Sequence, residues 1–268
     1  MEQETVKKVM DEVMKRFAET PAETSKPVVE ECRVEPSCVP ASCTEFIGTA
    51  MGHTIGLVIA NVEGRLHELM GIDNKYRSIG IISDRVGAGP QLMACDEAIK
   101  ATNTEIISAE MCRDTEGGAG HGALIIFGAE DVSDAKRAIE VALKETPKYF
   151  GDVWGNEVGY LELQYTARAS YCLNKALGAP VGRAFGLILG APAGIGVVIS
   201  DTALKAAEVE AFSYCSPQKG TCYTNESFIM VSGDSGAVRQ AILTARDVGV
   251  KLLHSLGGKP KPSTVPYI

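Results

Sequence analysis

The sequence predicts an α/β fold made from two tandem copies of one small domain. Three observations carry this: blocks of residues recur in the same order at nearly constant spacing, strand and helix patterns alternate within each copy, and each copy spans a normal single-domain length. Gly48, Gly52 and Gly56 recur as Gly151, Gly155 and Gly159 at a spacing of 103. Arg77-Ser-Ile-Gly80-Ile-Ile matches Arg183-Ala-Phe-Gly186-Leu-Ile at 106, and Asp96-Glu-Ala98-Ile-Lys100-Ala101 matches Asp201-Thr-Ala203-Leu-Lys205-Ala206 at 105. Arg137-Ala138-Ile139 matches Gln240-Ala241-Ile242 at 103. The chain therefore divides into an N-terminal extension (1–45), a first domain (46–148) and a second domain with a short C-terminal tail (149–268).

In the extension, Val6, Val9, Met10, Val13, Met14 and Phe17 recur at steps of three and four, with Lys7, Lys8, Asp11, Glu12, Lys15 and Arg16 between them. The spacing predicts an amphipathic helix over 4–19. Residues 20–45 carry Pro21, Pro27, Pro36 and Pro40 among Glu, Ser and Thr without periodicity, which reads as an extended linker. An isolated helix of this length is marginal in water, so the apolar stripe needs a partner surface.

Within the first domain, 55–61 and 78–83 read as strands, and Pro90 can open a helix that runs to Ala101. Two further strands follow at 104–109 and 123–127, then a helix over 132–144. The second domain repeats the order, with strands near 160–163, 184–189, 209–214 and 228–231.

Composition narrows the function. The 268 residues are 45% hydrophobic, ample for a packed core, and 26 Lys+Arg against 34 Asp+Glu give a formal charge of −8. That sign opposes non-specific attraction to nucleic acid or anionic lipid. The longest uncharged run, from Arg183 to Asp201, contains Pro192 and four glycines, which suits strand and turn rather than a membrane span. Eight Cys at scattered positions, Cys32, Cys38 and Cys43 among them, read as reduced cytosolic thiols.

Catalytic patterns are weak. Gly87-Ala-Gly89 continues to Leu92 where a dinucleotide fingerprint needs glycine, and Gly258-Lys259 is followed by Pro260 rather than Ser or Thr. His53, His67, His121 and His254 lie in unrelated contexts, with no zinc spacing. No catalytic residue, cofactor or metal is assigned. The most unusual segment is Arg113-Asp-Thr-Glu116-Gly117-Gly118-Ala-Gly120-His121-Gly122, where glycines can present bare backbone groups to a small polar molecule. Its counterpart in the second copy, from Ser216 through Gln218, Lys219, Gly220 and Thr221, is polar but different in residues.

The two copies resemble shell domains of bacterial microcompartments. Arg77-Ser-Ile-Gly-Ile, Gly87-Ala-Gly-Pro90, Gly117-Gly-Ala-Gly-His-Gly122, Glu162-Leu-Gln-Tyr-Thr-Ala-Arg168 and Ser232-Gly-Asp-Ser-Gly-Ala-Val-Arg239 are similar to the tandem-domain shell proteins of propanediol-utilisation compartments. The resemblance implies circularly permuted domains, each a small, mostly antiparallel sheet with flanking helices, in which 53–70 corresponds to the end of an unpermuted domain. It further implies a homotrimer forming a pseudohexagonal tile beside other microcompartment shell proteins in a cytoplasmic microcompartment shell, with no enzymatic role.

Pores in such tiles pass small diols or glycerol, and the resemblance points to Glu116, Gly117, Gly118, Gly120, His121, Gly122, Ser216, Gln218, Lys219, Gly220 and Thr221 as their lining. Lys100 and Lys205 match the family's tile-edge lysine, and the N-terminal helix (Val6, Val9, Met10, Val13, Met14, Phe17) corresponds in position, though not in sequence detail, to the extension that in this family ties the shell to encapsulated enzymes. A competing expectation is a small-ligand sensor or enzyme with its site between the tandem domains.

Overall fold

The computed structural model describes residues 44–113 and 121–268. The N-terminal helix stripe, the three linker cysteines and Glu116, Gly117, Gly118 and Gly120 lie outside the described residues.

The first domain opens with a tight hairpin, β1 (Phe46–Ala50) and β2 (Thr54–Ile59), followed by a short helix, α1 (Gly64–Leu69). β3 (Ser78–Asp84) leads into α2 (Gly89–Ala101), then β4 (Glu105–Arg113), β5 (His121–Ala129) and α3 (Val132–Tyr149). All pairings in the resulting five-stranded sheet, ordered β1-β2-β3-β5-β4, are antiparallel.

After a single 3-10 turn (Phe150–Asp152), the second domain repeats the plan. It contains β6 (Val153–Asn156), β7 (Gly159–Thr166), α4 (Tyr171–Leu177), β8 (Ala184–Ala191), α5 (Ala193–Ala206), β9 (Glu210–Cys215), β10 (Ser227–Gly233) and α6 (Ser235–Leu256). A final two-residue strand, β11 (Lys261–Pro262), extends this sheet to the order β11-β6-β7-β8-β10-β9. The expected mixed fold with antiparallel sheets is the observed one.

The repeated glycines explain how the helices sit. A Cβ at Gly80 would meet Ile139 at 2.9 Å, and one at Gly186 would meet Ile242 at 2.9 Å. Bare backbone at the central strand lets α3 and α6 pack close in each domain. Ile139 and Ile242 are themselves fully buried. The second core gathers Leu161, Leu163, Ile188, Ile199 and Ile242.

One core runs across the junction of the two domains. It joins Ile82, Leu92, Met93 and Phe127 of the first domain to Cys172, Leu173, Phe185 and Leu187 of the second. The C-terminal tail is fixed by Asp152, whose Oδ2 accepts the backbone N–H groups of Tyr267 and Ile268 at 2.8 and 3.0 Å. Arg246 neutralises the same fully buried carboxylate at 2.9 Å. Unpaired, that charge would cost several kcal/mol, on the order of 3–5.

Several boundaries differ from the sequence expectation. The helix over 132–144 continues to Tyr149 and carries Pro147 in its last turn. The β4 strand extends to Arg113 rather than stopping at 109. The hairpin strands β1 and β6 were not resolved from periodicity, because four or five residues rich in Gly give almost no alternation.

Candidate functional site

A cavity of about 140 Å³, apolar over most of its wall with three polar side chains set into it, lies at the junction of the two domains. The first domain contributes the turn from β3 into α2 (Gly87, Ala88, Gly89) and the facing ends of β4 and β5 (Met111, His121). The second contributes Glu162 on β7, Leu177 at the end of α4, Leu187 and Leu189 on β8, Gly220 from the loop after β9, Glu226 just before β10 and Phe228 on it.

Local backbone rules shape this wall. Gly87 and Ala88 both have positive φ, 123° and 78°, so the chain turns sharply before α2 begins at Gly89. The turn is held by Gln91, whose Oε1 accepts the Ala88 N–H at 2.9 Å while its Nε2 donates to Val86 O at 3.1 Å. A Cβ at Gly89 would collide with Glu162 Oε1, so only glycine leaves room for that carboxylate.

Three polar side chains form a connected series. His121 Nδ1 lies 2.7 Å from Glu226 Oε1, and the Tyr160 hydroxyl donates to Glu226 Oε2 in a very short hydrogen bond. The Glu226 side chain is fully buried, and His121 is only 12% exposed. Glu162 is buried beside them.

Burial pushes the Glu162 carboxyl well above the usual carboxylate range, reinforced by the neighbouring Glu226 and Asp84 carboxylates. The Tyr160 phenol is raised as well, by burial first and then by Glu226. Glu162 is thus disposed to remain a neutral acid, able to donate and accept hydrogen bonds at once.

On the other side of Glu162 lies a larger, open groove of about 480 Å³, lined by Tyr160, Asn156, Glu157, Asn225 and Pro192 among others. Gly87 and Glu162 line both spaces, and Tyr160 in the groove is bonded to Glu226 in the cavity. The arrangement can hydrogen-bond a small polyol; it offers no activated nucleophile. Among the described residues no group of His, Cys, Asp and Glu is arranged to hold a metal ion, and no helix is long and apolar enough to cross a membrane.

Of the expected pore residues, His121 and Gly220 line the cavity. Gly122 is buried beside His121, where a Cβ would strike the backbone oxygen of Asp84. The loop of the second domain closes on itself instead of lying open. Ser216 and Lys219 exchange backbone hydrogen bonds at 2.7 and 2.8 Å, and Thr221 Oγ1 turns inward to Ser216 O at 2.9 Å. Gln218 and Lys219 stand exposed at its tip.

The two lysines matched to one edge role part company. Lys205 is 74% exposed and, among the described residues, is paired with Asp201 of its own helix, at 2.7 Å. Lys100 is 30% exposed, its ammonium held by Asp96 at 2.7 Å and Glu97 at 3.0 Å, and it donates to Thr166 of the second domain at 3.3 Å. Lys100 therefore works across the seam inside the chain.

Sequence reasoning missed Tyr160, Glu162, Glu226 and the turn at 87–89 as site residues. A faint signal existed in β7, where Glu162 and Gln164 alternate with Leu161, Leu163 and Tyr165. Such alternation ordinarily marks a solvated polar face, but here the first domain covers it.

This is a tandem-domain protein whose repeats share a core and enclose a cavity between them, and comparison with known families agrees on the tandem domains. The chain belongs to the bacterial microcompartment shell family: the model described as the BMC domain matches residues 78–158 and 184–259. Those spans begin at or beside β3 and β8 and leave the preceding hairpins for the other end, as a circular permutation requires.

The chain is 56% identical, over 99% of its length and 98% of the relative's, to the bacterial microcompartment shell protein PduB of Salmonella typhimurium. It is 51% identical to PduB of Limosilactobacillus reuteri over 84% of this chain and 94% of the relative. A crystal structure of a trimeric PduB shell protein matches 84% of this chain and 100% of its own at 51% identity and a TM-score of 0.81. EtuB from Clostridium kluyveri matches at 56% identity and a TM-score of 0.82, covering 84% and 99%. The chain is a structural component of a microcompartment shell.

Proposed function

We propose that three copies of this chain assemble into a six-domain tile that passes small neutral polyols, of the 1,2-propanediol or glycerol class, through the junction between the two domains of each subunit. The observation that carries this reading is the junction itself: a cavity and a groove share Glu162, with His121, Glu226 and Tyr160 beside it. There the His121, Glu162 and Glu226 side chains can hydrogen-bond a diol's hydroxyls while Leu187, Leu189 and Phe228 pack against its carbons. Other shell proteins are the natural neighbours of such a tile. Lys205, unlike Lys100, is free of the seam inside the chain and available for contacts beyond it.

Crystals soaked in glycerol should show the molecule between His121, Glu162 and Glu226, and Glu162→Leu should abolish it. A cavity that stays empty of glycerol, or binding that the substitution leaves unchanged, removes this route. Saturable turnover of a small molecule by assemblies that never tile would favour the sensor or enzyme alternative.

The N-terminal extension is proposed as the tether to enclosed enzymes, since Val6, Val9, Met10, Val13, Met14 and Phe17 form an apolar stripe on a proline-rich leash. Val9→Asp combined with Val13→Asp should leave shells intact while the enzymes no longer co-purify with them. Unchanged co-purification would refute the tether.

A further inference from the structure

We infer that the junction between the two domains selects by charge: it admits small neutral polyols and their ammonium analogues and refuses anions of the same size. This rests on the polyol route proposed above and adds the class of solute that the route excludes.

The walls carry acids with little to oppose them. The cavity is lined by Glu162, Glu226 and His121, and the open groove by Glu162 again and by Glu157. Among the described residues no lysine or arginine lines either space. His121, the basic side chain of the cavity, lies 2.7 Å from Glu226 Oε1 and is committed to a carboxylate already in place. Arg85, Arg113 and Lys219, which flank these walls along the chain, are exposed and line neither space.

Burial gives those charges their reach. Glu226 is fully buried, Glu162 is 3% exposed, and Asp84, at the end of β3, is 5% exposed. Water and salt ions screen such groups far less than they screen surface charges. Glu162 reports the field at the spot a visitor would take. After burial, the Glu226 and Asp84 carboxylates are what disfavour a negative charge on it, and a hydrogen bond with Gln164 works the other way. A visiting carboxylate beside Glu162 meets the same field and gives up its hydration as well. A hydroxyl brings no charge and can donate or accept there. An ammonium group also sheds water, but the same carboxylates offset that loss.

The fold does not require these acids. Glu162 stands opposite Leu189 in the second sheet, and the residue opposite the equivalent Ser83 in the first is Ile55. Likewise Ser227 stands opposite Gly190 as Ala123 stands opposite Asp84, so the place of Glu226 is taken in the first domain by Gly122. One copy of the repeat therefore holds two buried carboxylates where the other holds none. A carboxylate or phosphorylated product formed behind such a tile would have to leave by another kind of opening.

The test measures, by ligand-observed NMR on the full-chain assembly, the dissociation constants of three probes of similar size. They are glycerol, serinol, in which an ammonium replaces the central hydroxyl, and glycerate, in which a carboxylate replaces one hydroxymethyl group. Glycerate should bind on the order of a hundredfold more weakly than glycerol, and serinol within about tenfold of it. The gap should persist when salt is raised from about 0.05 to about 0.5 M, since repulsion by the net charge of −8 is screened over that range and a buried field is not. Glu226→Gln should reduce the ratio of the glycerate to the glycerol constant about tenfold. The wild-type ratios decide the matter even where that variant fails to fold.

Glycerate binding as tightly as glycerol, or a gap that closes at high salt, would overturn the charge filter and leave the polyol route standing. Serinol refused as firmly as glycerate would overturn the filter too, as would a ratio that Glu226→Gln leaves unchanged in a folded assembly. Binding of none of the three, glycerol included, would overturn the route together with the filter.

Discussion

Glu162 shows what a single carboxylate costs and gives at the junction. Its folded-state pKa is raised well above the ordinary 4.5, by burial and then by Glu226 and Asp84, so the native chain holds a proton that the unfolded chain releases. Native stability therefore falls as pH rises from about 4.5 toward the raised value, by at most about 1.4 kcal/mol per pH unit. Glu162→Gln removes the titration while keeping the shape and a donor. The substitution should raise the unfolding midpoint at about pH 8 and do nothing at about pH 4, where the carboxyl is protonated in both states. A gain that is independent of pH would show that Glu162 has the same pKa in the folded and unfolded chain. Nothing in the sequence marks this residue as buried, because its covering surface, at Gly89, lies in the other domain.

At the scale of elements, the long repeats were legible and the short ones were not. β3, β8 and α2 are strongly patterned, and the structure places each within two residues of the sequence expectation, while the helix after β5 starts at Val132 as expected and runs five residues further. The short helices α1 and α4 are held by caps rather than periodicity. Glu63 accepts the N–H groups of Arg65 and Leu66 at 2.9 and 3.1 Å, while Ser170 accepts that of Cys172 at 3.2 Å. In α4 the cap is also the seam, since Asp96 of α2 fixes Ser170 from across the junction. Asp96→Ala would strand the Ser170 donors and release Lys100, costing about 1–3 kcal/mol. Ser170→Ala leaves Asp96 with Lys100 and the backbone N–H, and should cost about 1 kcal/mol, the usual value of a lost cap. Urea unfolding of both variants checks the order. Equal losses would mean that Asp96 acts only through the Ser170 hydroxyl.

For the whole molecule, the duplication was readable because four blocks keep their spacing, but the route through the tile was not, because it depends on how two domains meet. Loop residues that the resemblance groups as pore lining, without deciding between one central ring and openings within or between subunits, take different positions here. His121 and Gly220 face the cavity inside the chain, and Gln218 and Lys219 do not line it. Passage within each subunit and passage along a central axis make opposite demands on two substitutions. Met111 lines the cavity yet is 42% exposed, so Met111→Trp can narrow the path inside the subunit without disturbing a packed core. Gly120→Trp enlarges the glycine-rich loop instead. If diols cross between the domains, Met111→Trp should slow their uptake into intact compartments, with trimer mass and thermal stability unchanged, and Gly120→Trp should have the smaller effect. Uptake that responds to Gly120→Trp alone would move the route away from Glu162 and onto the axis of the tile.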